Sequence, residues 1–543
     1  MLGRAPPTKP HNVCINWHAL FGTDDPATKV GDFYEDIYSL DESELLLEES
    51  TKTRFMDTWL DLRVDIRPHR FSVGSVTKAV GKLKTGKGSP DGLTAEIYKA
   101  LPAAALLSLA TYFSFVFASL EIPVEWSIVT AILLPKVVRA SSLAKFRAIA
   151  CLVTARKLFG YLLLQMLPSL LFMSFQTGFV PGSHPASGVF AMNRAAELSR
   201  ESGQSIYVVQ LDLKKTFDWV KHSVILDSVR LQGASVQCVA VVSKMLAQSR
   251  AAIRIFHATS RVLDLARGLP QGAPESPLLF ALVVEMVLRP LLRKWQARGS
   301  GWRMDDFWLS AVCYADDVLL ISSSRIDLEK MIAEVLAAFL GVGLEVGAEK
   351  SHWSSYPSMQ DIKLQVGTAR VQWESQLTYV GTVVTVGGGS GPAMELRTTQ
   401  AQKAYFKWQP TLLNSSLPRS LRCRLAAQVI FSSLLWLCET WVPTAGQKQK
   451  MDSWGARLIA RVARIRCNDN EDIGQYWRRL HRSGHDLLQL YGGSPNWRRS
   501  RTLHRFAGHL ARSMDATISA ALHTRCIAWW RYRQERHLVK HLR

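Results

Sequence analysis

Three aspartates stand where a carboxylate is costly. Asp212 falls at the end of an alternating apolar run, Ile206 to Leu213, and Asp316 and Asp317 lie together between two further apolar runs, Trp308 to Tyr314 and Val318 to Ser322. The first run has strand periodicity, with Ile206, Val208, Gln210 and Asp212 on one face and Tyr207, Val209, Leu211 and Leu213 on the other. The later pair of runs predicts a hairpin with the two acids between its strands. A carboxylate in such a place needs a partner if it is buried. Three of them on one sheet repel one another unless a cation lies among them. Hard oxygen donors suit Mg²⁺, which keeps few protein ligands and completes its shell with water and phosphate oxygens. Two such ions can clamp the attacking and the leaving oxygen of an in-line displacement. Taken singly, each aspartate is better read as a surface turn or cap residue, so the weight falls on the order and identity of the neighbouring motifs.

Those neighbours run in a fixed order. Lys87-Gly-Ser-Pro-Asp-Gly92 precedes Glu96-Ile-Tyr-Lys99; Trp126 through Leu133-Leu-Pro-Lys136 precedes Phe146-Arg-Ala-Ile149 and Lys157; then come Gln176-Thr-Gly-Phe179 and Asp212-Leu-Lys-Lys-Thr-Phe-Asp218. Gly268-Leu-Pro-Gln-Gly272 with Ser276-Pro277, Tyr314-Ala-Asp-Asp317, Gly343-Leu-Glu-Val346 with Lys350-Ser351, and Leu377-Thr-Tyr-Val-Gly381 follow. Block for block, this resembles reverse transcriptases, most closely those of LINE-type (non-LTR) retrotransposons. Motif A corresponds to the Asp212 block, B to Gly268–Pro277, C to Tyr314–Asp317, D to Gly343–Ser351, and the primer-grip block to Leu377–Gly381. Arg505-Phe-Ala-Gly-His-Leu-Ala-Arg512 is similar to a stretch near the end of many such elements. The resemblance is strong over residues 71–390, and several blocks in order are far more specific than one motif.

The resemblance implies an RNA-directed DNA polymerase that extends a DNA primer 3′-hydroxyl on an RNA template, with dNTPs as substrates and two Mg²⁺ ions as cofactors. Asp212 and Asp316 would hold the metals and Asp317 would support them. Lys136 and Arg147 would meet the triphosphate, whose charge calls for cationic donors. Phe217 takes the steric-gate position, where a ring beneath the sugar would clash with a 2′-hydroxyl. Gln271 and Gly272 would lie along the nucleotide and template. Lys350 is a candidate general acid for the leaving pyrophosphate, and Leu377, Tyr379 and Gly381 would form the primer grip. Asp218 is expected to cap a helix starting near Val220. Three departures stand out: Ala148 where the family usually has proline, Gly347 where it often has asparagine, and the basic pair Lys214 and Lys215. No endonuclease motif precedes these blocks and no Cys/His knuckle follows, so the chain is expected to be a truncated element or part of a longer reading frame. A decayed copy that binds nucleic acid without polymerising is the alternative function.

The elements needed to position these groups can be read from periodicity. Residues 126–134 predict a strand, Pro277 opens a buried helix of about 277–297 with Ser276 as N-cap, and Leu328, Met331, Ile332, Val335 and Phe339 recur at helical spacing up to Gly341. The result is an α+β fold with helices on one face of an antiparallel sheet; by the resemblance it is a right-hand polymerase fold of fingers, palm and thumb with an antiparallel palm sheet. The expected divisions are an N-terminal extension (1–70) of irregular chain and short helices, fingers (71–205), palm (206–390), and thumb with a basic helical C-terminal extension (391–543). The reverse transcriptase domain as a whole is expected at about 115–386. Leu158 to Phe175 reads as a core helix, broken by Gln165 and Pro168, and not as a membrane span.

Composition agrees with a polyanionic partner. Lys plus Arg number 66 against 45 Asp plus Glu, a net charge of +21. Eighteen of the basic residues fall between Met451 and Arg543, 17 of them arginine, whose forked guanidinium suits phosphate oxygens. Eight scattered cysteines contain no CxxC pair, which indicates neither a disulfide framework nor a zinc ribbon and fits an intracellular, reducing setting. No membrane association and no targeting signal are expected; action in the nucleus is implied by the family alone.

Overall fold

A computed structural model of the chain describes residues 20–22, 25–62, 69–137, 140–167, 176–180 and 182–512, the side chains of 53–62 excepted. Helix α1 (Pro26–Tyr38) opens with Asp25 accepting from the Thr28 backbone N–H at 3.0 Å. Helix α2 (Glu42–Leu62) runs for 21 residues, where the sequence suggested irregular chain with short helices. Its start explains the difference: Asp41 accepts from the Glu44 N–H at 2.8 Å, and Glu42 and Glu44 sit in the first turn, where the helix dipole favours negative charge. Helices α3 (Val73–Lys82) and α4 (Ala103–Ser119) follow. Helix α5 (Thr154–Met166) stops before Leu167, whose successor is proline; the rest of the apolar stretch to Phe175 lies largely outside the described residues.

Two four-stranded sheets carry the chemistry. Strand β1 (Ile128–Pro135) pairs antiparallel with β2 (Phe146–Cys151). After helix α6 (Pro185–Ser202), β3 (Ile206–Asp212) begins the second sheet. Helices α7 (His222–Leu231) and α8 (Val236–Ala247) then lead back to the first, where β4 (Arg250–Ile255) lies parallel to β1 and β5 (Ala258–Asp264) closes the order β2-β1-β4-β5. Sheet membership therefore does not follow chain order. Helix α9 (Ser276–Arg298), the small hairpin β6–β7 (Trp302–Met304, Phe307–Leu309) and strands β8 (Ala311–Tyr314) and β9 (Asp317–Ser322) come next. Helix α10 (Arg325–Gly341) and β10 (His352–Tyr356) complete the second sheet, order β10-β3-β9-β8, antiparallel throughout.

The second sheet is buried on both faces. Tyr207, Val209, Leu211 and Leu213 pack with residues of α7, α9 and α10. Ile206 and Val208 pack with α6 and with the hairpin β13–β14 (Leu377–Tyr379, Thr382–Val384), which follows the minor pair β11–β12 (Leu364–Val366, Ala369–Val371). The expectation of helices on one face only is thus corrected: α6 covers the other. Helix α9 is buried almost all round, as its composition suggested, but its N-cap is Glu275 and not Ser276, whose hydroxyl has no partner among the described residues. Helix α10 buries the five positions picked out by spacing, Leu328, Met331, Ile332, Val335 and Phe339. Among the described residues five further α-helices follow: α11 (Gly391–Leu412), α12 (Arg419–Leu434), α13 (Ala445–Val462), α14 (Ile473–Leu490) and α15 (Pro495–Ala511). Helices α11 to α14 share an apolar core of their own, while Phe506 and Leu510 of α15 join the core behind the second sheet. No described helix is long and apolar enough to cross a membrane.

Candidate active site

The strand register brings the three aspartates together. Asp212 faces Asp317 across β3 and β9, and Tyr314 faces Asp317 across β8 and β9, which leaves Ala315 and Asp316 as a two-residue hairpin loop. Ala315, the first loop residue, has φ +56° and Asp316 does not share it, the pattern of a type II′ turn. Gln176–Phe179 clamps this tip from beside. The Thr177 backbone N–H donates to the Cys313 carbonyl at 2.8 Å, and Gln176 Oε1 accepts from the Gly178 and Ala315 amides at 2.9 and 3.3 Å. A Cβ on Gly178 would lie 2.4 Å from the Ala315 nitrogen, so only glycine fits.

Asp212 and Asp316 line a cleft of about 710 Å³, and Asp317 does not. Burial pushes the Asp317 carboxyl up to about 6, and the charges of Asp316 and Asp212 add to this. Gln210 and the Val380 backbone favour its charged form but are outweighed. Asp316 is also raised, first by burial and then by Asp212, against an opposing pull from Arg147. Among the described residues no three His, Cys, Asp or Glu side chains form a closed metal-binding group: two aspartates line the cleft and the half-buried Asp317 does not.

Cations ring these acids. Lys136 and Arg147 reach the cleft from β1 and β2 at one end of the first sheet; Lys136 Nζ donates to the Ala144 carbonyl at 3.3 Å. Burial lowers the Lys136 ammonium, and the neighbouring Arg147 lowers it further. Ala148, where the family usually has proline, is buried and paired with Leu133 in the same ladder. Lys350 Nζ stands 3.5 Å from Asp212 Oδ2 because residues 345–347 run beside the end of β3, with the Gly347 N–H donating to the Asp212 carbonyl at 2.7 Å.

Phe217 lines the cleft and stacks on Phe280 at 5.0 Å, so it is at once a core aromatic and a cleft residue. Asp218 does not cap a helix: α7 begins at His222 with Lys221 as its cap residue. The Asp218 carboxylate accepts from Gln271 Nε2 at 3.3 Å; burial raises it to about 6 against the pull of Gln271, Lys136, Lys215 and Arg147. The loop carrying Gln271 is held on three sides. Gly272 has φ +125° and a Cβ there would lie 2.8 Å from the Ala150 carbonyl oxygen, while the Gln271 carbonyl accepts from the Ala150 N–H at 2.7 Å. His222 Nε2 lies 3.0 Å from the Gly268 carbonyl oxygen. Beyond the loop, Glu275 forms a buried ion pair with Arg156 of α5.

The primer-grip block divides in two. Leu377 and Tyr379 are buried in the core, whereas Thr378 and Gly381 are exposed, and the Gly381 carbonyl, in the β13–β14 turn, accepts from Arg397 Nη1 at 3.1 Å. Sequence reasoning missed Arg156, Glu275 and His222. It also missed that α1 supplies Phe33, Tyr34 and Ile37 to the cleft wall. Contacts between residues so far apart in the chain leave no periodic trace; the one available signal was a charged Glu275 just before an apolar helix.

This geometry coincides with the comparison to known families: residues 135–384 match the family described as reverse transcriptase (RNA-dependent DNA polymerase). The chain carries a reverse transcriptase domain. Over that stretch the structure is mixed helix and sheet, with the second sheet antiparallel throughout. Relatives of the reverse transcriptase domain include the retrovirus-related Pol polyprotein of the type-1 retrotransposable element R2 of Nasonia vitripennis, 25% identical over 293 residues, which are 54% of this chain and 28% of the relative. The R2DM Pol polyprotein of Drosophila melanogaster is 27% identical over 294 residues, 54% of this chain and 26% of the relative. The uncharacterized 149 kDa protein of transposon TX1 of Xenopus laevis is 26% identical over 276 residues, 49% and 20%. The chain thus spans about a quarter of the length of the relatives that its reverse transcriptase domain matches.

Proposed function

We propose that this chain is the RNA-directed DNA polymerase of a non-LTR retrotransposon, extending a DNA primer on an RNA template. One observation carries the reading: Asp212 at the end of β3 and Asp316 in the β8–β9 loop line a single cleft ringed by Lys136, Arg147, Gln271 and Phe217. The donor set fits hard divalent ions, because the Asp212 charge raises the proton affinity of Asp316 and both raise that of Asp317, and a cation would relieve this. Asp212 and Asp316 would hold two Mg²⁺, which when bound neutralise the triphosphate and favour the ionised primer hydroxyl.

The residues divide the remaining work. Lys136 and Arg147 bind the triphosphate. The primer 3′-oxygen attacks the α-phosphorus, its proton passes to solvent, and the bond to pyrophosphate breaks; Lys350 donates a proton to that leaving group. Phe217 lies under the sugar and excludes a 2′-hydroxyl. Gln271 and Gly272 border the base and template, with Asp218 fixing the Gln271 amide. Asp317 braces the hairpin that presents Asp316, and the buried Leu377 and Tyr379 seat the turn at Gly381 against the primer. The thumb would begin with α11, after the palm ends near 390, and the nucleus is the compartment where a DNA target is available.

The deciding experiment is extension of oligo(dT) on poly(rA) with dTTP and Mg²⁺, comparing wild type with Asp316→Ala. Mg²⁺-dependent extension abolished by the substitution is the expected result. Folded protein that binds the duplex without extending it would make the chain a nucleic-acid-binding remnant.

A further inference from the structure

We propose that Lys215 is a further cation for the nucleoside triphosphate, and that Phe33 of helix α1, an element outside the matched domain, positions it. The inference rests on the polymerase reading. Lys215 lines the cleft with Asp212, Asp316, Lys136 and Arg147. Its backbone has φ +41°, a left-handed conformation that lysine adopts at a cost. Its ammonium lies 4.9 Å from the Trp219 ring centroid and 5.9 Å from that of Phe33, a two-walled aromatic seat.

Other lysines here are tethered by oxygen: Lys350 by Asp212, Lys214 by Glu345 at 3.5 Å, and Lys136 by the Ala144 carbonyl. Lys215 pairs with no carboxylate among the described residues. Aromatic faces direct its charge without neutralising it, and the partner such a seat leaves room for is a polyphosphate.

Helix α1 is firmly attached for this task. Arg261 pairs with Asp32 at 2.9 Å and with Glu35, and Arg267 Nε donates to the Ile37 carbonyl at 2.8 Å while its guanidinium lies 5.6 Å from the Trp219 ring centroid. Phe33 is therefore a positioning residue that acts through Lys215.

Two measurements on the full chain test this. One is dTTP affinity for the protein bound to poly(rA) and a dideoxy-terminated oligo(dT) primer; the other is steady-state extension of the unblocked primer. Lys215→Met is expected to weaken dTTP binding and raise KM about tenfold, the effect of one charge-assisted hydrogen bond, with kcat within about twofold. Phe33→Leu should raise KM in the same direction by about threefold, whereas Lys215→Arg and Phe33→Tyr should stay near wild type, since both keep the cation on an aromatic face. Unchanged dTTP affinity and KM in Lys215→Met, or a loss confined to kcat, would overturn the assignment. Wild-type protein that holds the duplex but neither binds dTTP nor extends the primer would overturn the polymerase reading and this inference together.

Discussion

Gly178 has no room for a methyl group, because the amide of Ala315 occupies the space. Gly178→Ala should therefore destabilise the protein by about 2–3 kcal/mol through overpacking at the β8–β9 hairpin. A urea titration would measure the loss, and extension should fall with it as Asp316 is displaced; an unchanged midpoint would show that the clamp yields freely. Asp218 allows a pH prediction. Its folded carboxyl is raised to about 6 from an ordinary value of 3.8, so between those values the folded state holds a proton that the unfolded chain has released. Its contribution to stability is full below 3.8 and is lost as pH rises through 6. Asp218→Asn has no charge to bury, so its stability relative to wild type should grow across that window and level off above it, as urea midpoints from about pH 4 to 7 would reveal. The motif order made Asp212, Asp316 and Phe217 legible in the sequence alone. Asp218 was misread because an aspartate two residues before Val220 looks locally like a cap, whereas burial against Gln271, a loop 53 positions away, decides its role.

Periodicity served elements well where one core decides them. The five buried positions of α10 follow directly from helical spacing, and so do the two faces of β3. It could not reveal which sheet a strand joins, so nothing in Arg250–Asp264 announced that β4 and β5 would complete the sheet begun by β1 and β2. Nor could it reveal the link between α5 and the loop before α9. Arg156 and Glu275 are paired with side chains only 8% exposed, and a Cβ on Gly160 would run into the Glu275 carboxylate. Removing one partner leaves a buried charge, so Arg156→Met should cost about 3–5 kcal/mol, while Arg156→Met with Glu275→Leu should recover most of it. A double-mutant cycle by thermal or urea unfolding would check this; additive losses would mean that the pair is not coupled.

At the scale of the whole molecule, the charge of +21 is not uniformly available. Many C-terminal arginines are structural: Arg498 lies 5.4 Å from the Phe431 ring centroid and donates to the Tyr491 carbonyl, Arg499 is buried and donates to that of Trp441, and Arg479 pairs with Glu471. Arg501 and Arg505 on α15, and Arg512 just after it, are exposed and pair with no carboxylate among the described residues. These are the arginines expected to meet phosphate. Replacing Arg501 and Arg505 by alanine should lower the dependence of log K on log salt by about one for each phosphate no longer neutralised, whatever the sequence of the duplex; an unchanged slope would place the phosphate surface elsewhere. The pairing of β1 with β4 bears on how the chain is made. Arg250 lies 122 residues after its partner Ile128, and the two strands run parallel, so β1 keeps an open edge until β4 exists. At a synthesis rate of about 5–20 residues per second that interval is roughly 6–24 s. During it, an apolar strand with unpaired amides is exposed on the ribosome, and this stretch of the nascent protein is where a chaperone would be most needed.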